Sequence, residues 1–185
     1  MSLNELYILS VVSAMTISFA ATPLVRELAL RLGWMDAPTS AVKTHKVSTP
    51  CVGGIAIFLA FALTLLGLRF FTQFPTGTLR SLRAILIGGS FIFILGLLDD
   101  ITKPDGLHYR LKFAAQVAAA GALMYYGIHI KFVSPDYLGL ALTLLWVVGI
   151  TNAFNIIDIM DGLAASQAAI AALAFLMISL PSEEL

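Results

Sequence analysis

The stretch Ala84-Ile85-Leu86-Ile87-Gly88-Gly89-Ser90-Phe91-Ile92-Phe93-Ile94-Leu95-Gly96-Leu97-Leu98-Asp99-Asp100 holds fifteen uncharged residues and then two adjacent carboxylates. An apolar run of this kind is either a buried core helix or a membrane span, and the rest of the chain decides between them. Of 185 residues, 59% are hydrophobic and 12% charged, with a mean hydropathy of +0.92. Soluble domains carry about 25% charged residues, so the run reads as a span. At fifteen residues it is short for a bilayer, and Arg83 lengthens it by snorkelling.

Working outward, five further uncharged runs lie between charges. The spans are expected at about 6–25, 50–68, 83–98, 113–130, 137–157 and 162–182, each near the roughly 17–25 residues that crossing requires. The expected fold is an all-α polytopic membrane protein with six transmembrane helices in a single domain, 1–185. Eleven basic residues balance eleven acidic ones, leaving no surplus for nucleic acid, and Cys51 is the single cysteine. The first run has no Lys or Arg ahead of it but Arg26 and Arg31 behind it. It therefore reads as a retained helix with its N-terminus outside, not as a signal peptide.

Alternate loops support that orientation. One side collects Arg26, Arg31, Lys43, Lys46, Lys103, Arg110 and Lys112, and the other Arg69, Arg80, Arg83 and Lys131. The side with seven basic residues is expected in the cytoplasm. It also holds most of the carboxylates, His45, His108 and two asparagines, so chemistry is expected on that face.

Asp99-Asp100 is the first candidate. Paired carboxylates at a helix C-terminus repel each other and oppose the helix dipole, so they call for a cation, a Lys or a shared proton. The competing reading is a solvated helix end beside Lys103. The loop that follows contains Pro104-Asp105-Gly106, a turn signal taken as structural. Lys112 and Gln116 stand at i and i+4 on one face of the next helix. Alone, Lys112 is an interface anchor; across the short loop it is a partner for phosphate or for the Asp pair.

The second candidate is Thr151–Ala164, in which Asn152, Asn155, Asp158 and Asp161 recur every third residue. In a continuous α-helix such steps drift by about 60° each. The four groups converge only if the segment tightens or breaks, and a break near 158–161 lets Asp161 cap the following helix. Converged, they suit a polar ligand with a metal ion. In the first cytoplasmic loop His45 and Lys46 precede Gly53-Gly54, which permits close backbone approach. His108 and His129 are read as structural.

Leu-Leu-Asp-Asp (97–100), Lys112 with Gln116, His45 with Pro50 and Gly53-Gly54, and Asn-Ala-Phe-Asn-x-x-Asp-x-x-Asp-Gly-Leu-Ala (152–164) together resemble the polyprenyl-phosphate N-acetylhexosamine-1-phosphate transferases. The likeness covers about 34–165 and leans to the GlcNAc-1-phosphate branch. It implies a multi-pass enzyme of the cell membrane with a cytoplasmic site, working in cell-envelope polysaccharide synthesis. That enzyme would move a sugar-1-phosphate from a UDP-N-acetylhexosamine to polyprenyl phosphate and release UMP. The expected cofactor is Mg²⁺, with Mn²⁺ as substitute; membrane lipid and a second copy of the chain are the expected neighbours.

By the same resemblance, Asp99 and Asp100 are catalytic. Lys112, Asn152, Asn155, Asp158, Asp161, His45 and Lys46 bind nucleotide sugar and phosphate, and Asp158 and Asp161 are metal ligands. Ile159 stands where such enzymes usually have Gly, and Val42 and Cys51 where a basic residue is common. Those enzymes also continue for several more spans, with a further metal-binding Asp and a His-rich loop, so the chain resembles their N-terminal half. The competing readings are a Mg²⁺-dependent intramembrane prenyltransferase, an ion-coupled transporter and a non-catalytic fragment.

Overall fold

The computed structural model describes residues 3–36, 48–72, 76–102, 106–158, 160 and 162–179. Six helices follow one another: α1 (Leu3–Leu32), α2 (Gly54–Phe71), α3 (Thr76–Ile101), α4 (Tyr109–Tyr125), α5 (Asp136–Ile157) and α6 (Leu163–Ser179). A two-residue antiparallel ribbon, β1 (Met35–Asp36) with β2 (Thr49–Pro50), joins Met35 to Pro50 and Asp36 to Thr49 at the foot of α1 and α2. The all-α polytopic membrane class holds. Four helices, α1, α2, α3 and α5, are long and apolar enough to cross a bilayer, and α6 is a shorter apolar helix.

Packing is inverted relative to a soluble protein. Ala29 and Ala120 are fully buried, and the largest fully buried side chain is Val52, whereas Phe19, Trp146 and Phe175 face outward. Lipid tails are as apolar as any core, so helices in a bilayer associate through close contact of small residues. On α2 the buried stripe Ala56, Ala60, Thr64, Leu68 steps by four and lets α1 lie against it. On α4, Ala115, Gln116, Ala119 and Ala120 do the same between α3 and α5. Val25, Ala29, Val52 and Ala56 form one tight cluster, covered by Trp34, Cys51, Leu97 and Ile101. It ties the end of α3 to α1 and α2, and so fixes where Asp99 and Asp100 sit.

Several boundaries depart from the uncharged runs, for local reasons. α1 continues through Arg26 to Leu32, supported by an exposed Glu27–Arg31 pair of 2.9 Å at i,i+4. At about 1.5 Å per residue its 30 residues exceed a roughly 30 Å hydrocarbon layer, so the charged last turns can project beyond it. α3 begins well before Arg83, which gives 23 residues of span from Leu79 to Ile101.

α4 ends early. Gly127 takes φ +84°, its N–H donates to Met124 O (2.9 Å), and the Ile128 N–H donates to Leu123 O (3.0 Å). This Schellman ending satisfies the last carbonyls and turns the chain out of the helix. The strand of backbone that follows is pinned to α5. The Ile130 N–H donates to Thr143 Oγ1 (2.9 Å), and that hydroxyl donates to Gly139 O (2.7 Å). Gly139 has no room for a side chain, because a Cβ there would overlap the Ile130 carbonyl.

Candidate active site

Three helix ends build the site. α3 ends in Asp99-Asp100-Ile101, α4 starts with Tyr109, and α5 ends at Ile157. The start of α4 is fixed by His108, whose Nδ1 accepts from the Arg110 N–H at 3.3 Å. That N-cap is the structural role expected of His108. It sets the first turn of α4 so that Lys112 faces α3.

Lys112 Nζ lies 2.7 Å from Asp99 Oδ2. The other carboxylate oxygen, Oδ1, accepts from the Leu107 N–H, also at 2.7 Å. Asp99 is largely buried, its side chain 17% exposed, while Lys112 reaches the surface at 38%. The pairing across the loop answers the repulsion noted for the two acids: one carboxylate is held by a cation and a backbone donor. Asp100 lies about 100° further round the α3 end. Its carbonyl is 3.5 Å from Cys51 Sγ, which also lies 3.4 Å from Trp34 O. Asp100 lines a small cavity of about 220 Å³ with Gly54, Phe93 and Gly96.

One turn beyond Lys112, Gln116 is buried. Its Oε1 accepts from Asn152 Nδ2 at 2.6 Å, and the same amide donates to Val148 O at 2.8 Å. The bond carries the site across to α5. A cavity of about 390 Å³ opens there, lined by Tyr109, Arg110, Lys112, Phe113 and Asn152. Arg110 Nε donates to Tyr109 Oη at 3.2 Å, and its guanidinium carbon stands 5.8 Å from the centre of that ring. The cavity thus presents two cations and an amide at its polar rim and aromatic rings beside them. That is a lining for an anionic, partly apolar ligand.

The structure therefore brings Asp99, Lys112 and Asn152 into one connected set. Asn155 and Asp158 are exposed and make no side-chain hydrogen bond or ion pair among the described residues. The cause is the geometry of α5: it stays α-helical to Ile157, so steps of three turn each successive group away from α4. The backbone does break where expected, with Asp158 at φ −79°, ψ 53° ending α5 and Gly162 at φ +78° preceding α6. Asp161, His45 and Lys46 lie outside the described residues. Among the described residues no three His, Cys, Asp or Glu side chains gather closely enough to hold a cation.

Two participants were missed in the sequence. Arg110 counted only toward orientation, although its spacing of two from Lys112 was visible. The Leu107 backbone amide has no sequence signature, since any residue but Pro offers one. A groove of about 1160 Å³ between α1 and α2 is apolar apart from Arg26 and the hydroxyls of Thr16, Ser18 and Thr22. It holds no carboxylate and is not a candidate for the chemistry.

Comparison with known proteins places this geometry in context. Residues 82–185 match the model of glycosyl transferase family 4, which takes in α4, α5, α6 and most of α3. A probable undecaprenyl-phosphate N-acetylglucosaminyl 1-phosphate transferase of Bacillus subtilis is 34% identical over 169 residues, covering 86% of this chain and 44% of the relative. A decaprenyl-phosphate N-acetylglucosaminephosphotransferase of Mycobacterium tuberculosis is 34% identical, covering 96% and 46%. A phospho-N-acetylmuramoyl-pentapeptide-transferase of Streptococcus equi subsp. zooepidemicus is 34% identical, covering 75% and 46%. The chain spans less than half the length of these curated relatives. No solved structure matches it. With its family model matched over more than half its length and its apolar helices in place, the chain is a multi-pass membrane protein that belongs to glycosyl transferase family 4.

Proposed function

We propose that this chain supplies part of the active site of an enzyme that transfers N-acetylglucosamine-1-phosphate from UDP-N-acetylglucosamine to a polyprenyl phosphate. The carrying observation is the connected set Asp99–Lys112 and Gln116–Asn152 where α3, α4 and α5 adjoin. The names of the relatives supply the chemistry: each joins a phosphorylated polyprenyl acceptor or an N-acetylhexosamine phosphate to transferase activity. A water-soluble donor and a lipid acceptor meet only at a membrane boundary, which is where such helix ends belong. The positive-inside count favours the cytoplasmic face for that boundary.

In the proposed reaction an oxygen of the lipid phosphate attacks the phosphorus bonded to the sugar. A new diphosphate linkage forms, the bond to the uridylate oxygen breaks, and UMP leaves. Both partners are anionic, so the site must offset charge before they can approach. Lys112 does so at Nζ, which keeps donors free beside Asp99, and Arg110 adds a second cation at the cavity rim. Asp99, clamped on both oxygens, presents its remaining lone pairs to the lipid phosphate and accepts its proton or orients it. Asn152, steadied by Gln116, offers its amide oxygen to the polar part of the nucleotide sugar. Asn155, Asp158, Asp161, His45 and Lys46 complete the nucleotide and phosphate contacts, and Asp100 supports Asp99. Mg²⁺, or Mn²⁺ in its place, belongs to the proposal because it would neutralise diphosphate charge; no step is assigned to it.

The test is product analysis of the protein in native membranes given UDP-N-acetylglucosamine and undecaprenyl phosphate. Equal amounts of UMP and lipid-linked sugar diphosphate are expected, and Asp99→Asn should lose nearly all turnover. Release of inorganic diphosphate would instead indicate a prenyltransferase, and ion flux without any product a transporter. Near-normal turnover of Asp99→Asn would refute the role given to that carboxylate.

A further inference from the structure

We propose that Gly106 is a positioning residue for Asp99, setting the orientation of the carboxylate through the backbone of the loop between α3 and α4. The inference rests on the reading of Asp99 as a reacting group.

Asp99 and Asp100 are the last charged positions before the chain leaves α3 through Thr102, whose N–H and hydroxyl both return to Leu98 O at 3.2 and 2.7 Å. The loop comes back at Gly106, whose N–H donates to Thr102 O at 3.2 Å. Gly106 takes φ +63°, a conformation other residues adopt only with strain. In that conformation the next amide, Leu107 N–H, points at Asp99 Oδ1 and donates at 2.7 Å.

Glycine is required there twice over. A Cβ on Gly106 would stand 2.9 Å from Asp99 Oδ1 and 3.8 Å from its Cγ. It would push on the same oxygen that the neighbouring amide holds. Because Oδ2 is fixed independently by Lys112, the carboxylate is held at both oxygens. A side chain at 106 requires a shift at this contact, by rotation of the carboxylate or by movement of the loop backbone that holds Oδ1. Either way the reacting oxygen moves while the helices keep their places. Gly106, the last residue of an ordinary turn signal in the sequence, thus acts on the reactive centre.

A control with the same backbone demand lies elsewhere. Gly127 also has positive φ, +84°, but a Cβ there meets nothing within 4 Å. Gly106→Ala and Gly127→Ala, purified in detergent and compared by melting temperature, turnover and KM for each substrate, separate the two causes. Both should lose similar stability from the forced left-handed backbone. Gly106→Ala should lose about ten- to a hundredfold in kcat with KM for the nucleotide sugar nearly unchanged, the cost of misplacing a reacting group by a fraction of an ångström to an ångström. Gly127→Ala should keep its kcat.

If Gly106→Ala does not yield folded protein, Gly106→Asn serves, since Asn tolerates left-handed φ yet carries the Cβ. An unchanged kcat in the folded Gly106 variant, beside an inactive Asp99→Asn, overturns the positioning role alone. An equal loss of kcat in Gly127→Ala overturns it as well, because strain would then be the cause. Normal turnover of Asp99→Asn overturns the reading beneath it.

Discussion

The bond between Gln116 and Asn152 carries α5 into the site, and its removal has a calculable effect. Gln116→Met keeps the volume and apolar stem of the side chain but removes the acceptor that lies 2.6 Å from Asn152 Nδ2. The amide keeps its second acceptor, Val148 O at 2.8 Å, so one N–H loses its partner and the group is not stranded entirely. A neutral hydrogen bond nets about 0.5–1.5 kcal/mol in proteins, and side-chain bonds between membrane helices average near 0.6 kcal/mol. Burial of Gln116 at 8% exposure favours the upper part of that range. The expected coupling is therefore about 1 kcal/mol, which for a chain of this size corresponds to roughly 2–4 °C in melting temperature.

The assay is a double-mutant cycle on melting temperature in detergent, using Gln116→Met, Asn152→Ala and the pair. The double variant should melt about 2–4 °C higher than the sum of the single losses predicts. In the active protein, Gln116→Met should also lower kcat/KM for the nucleotide sugar about fivefold, the rate equivalent of about 1 kcal/mol, without changing KM for the lipid. Additive melting losses, within about 1 °C, would show that the two residues do not act on each other and that α5 is held to α4 by packing alone.

Other expectations follow from single contacts. Lys112→Met leaves the largely buried Asp99 carboxylate with only its backbone donor among the contacts described above; turnover should fall about a hundredfold, with Lys112→Arg recovering part of it, as measured by UMP release. Gly139→Ala drives a Cβ into the Ile130 carbonyl and should cost about 1–3 kcal/mol, seen as a lower melting temperature with unchanged specific activity in the protein that remains folded. Chelation with EDTA should abolish UMP release, and Mg²⁺ or Mn²⁺ should restore it; full activity in EDTA would remove the cation from the proposal.

The membrane class and the identity of the helices were legible because hydropathy acts residue by residue. A bilayer demands internally satisfied backbone, so uncharged runs near 20 residues can only become helices. Their ends were less legible. α4 stops at Tyr125 because Gly127 closes a Schellman turn and Ile130 finds Thr143, a contact between residues 13 apart that hydropathy does not register. α1 runs past its apolar stretch to Leu32, where Glu27 and Arg31 pair at i,i+4 on its exposed face.

The site divides along the same line. Asp99, Lys112 and Asn152 stood out in the sequence because charged and amide groups beside apolar spans are costly and need a purpose. The pattern of three also announced the break after α5. What the sequence could not decide was which of the patterned groups meet. Helical phase turns Asn152 toward Gln116 and leaves Asn155 and Asp158 facing outward, and that choice depends on how α5 lies against α4. Nor could it show that Gly106 and the Leu107 amide reach back to Asp99. A side chain's type is written in the sequence; a backbone N–H is common to nearly every residue, and only the fold of the loop aims one of them at a carboxylate.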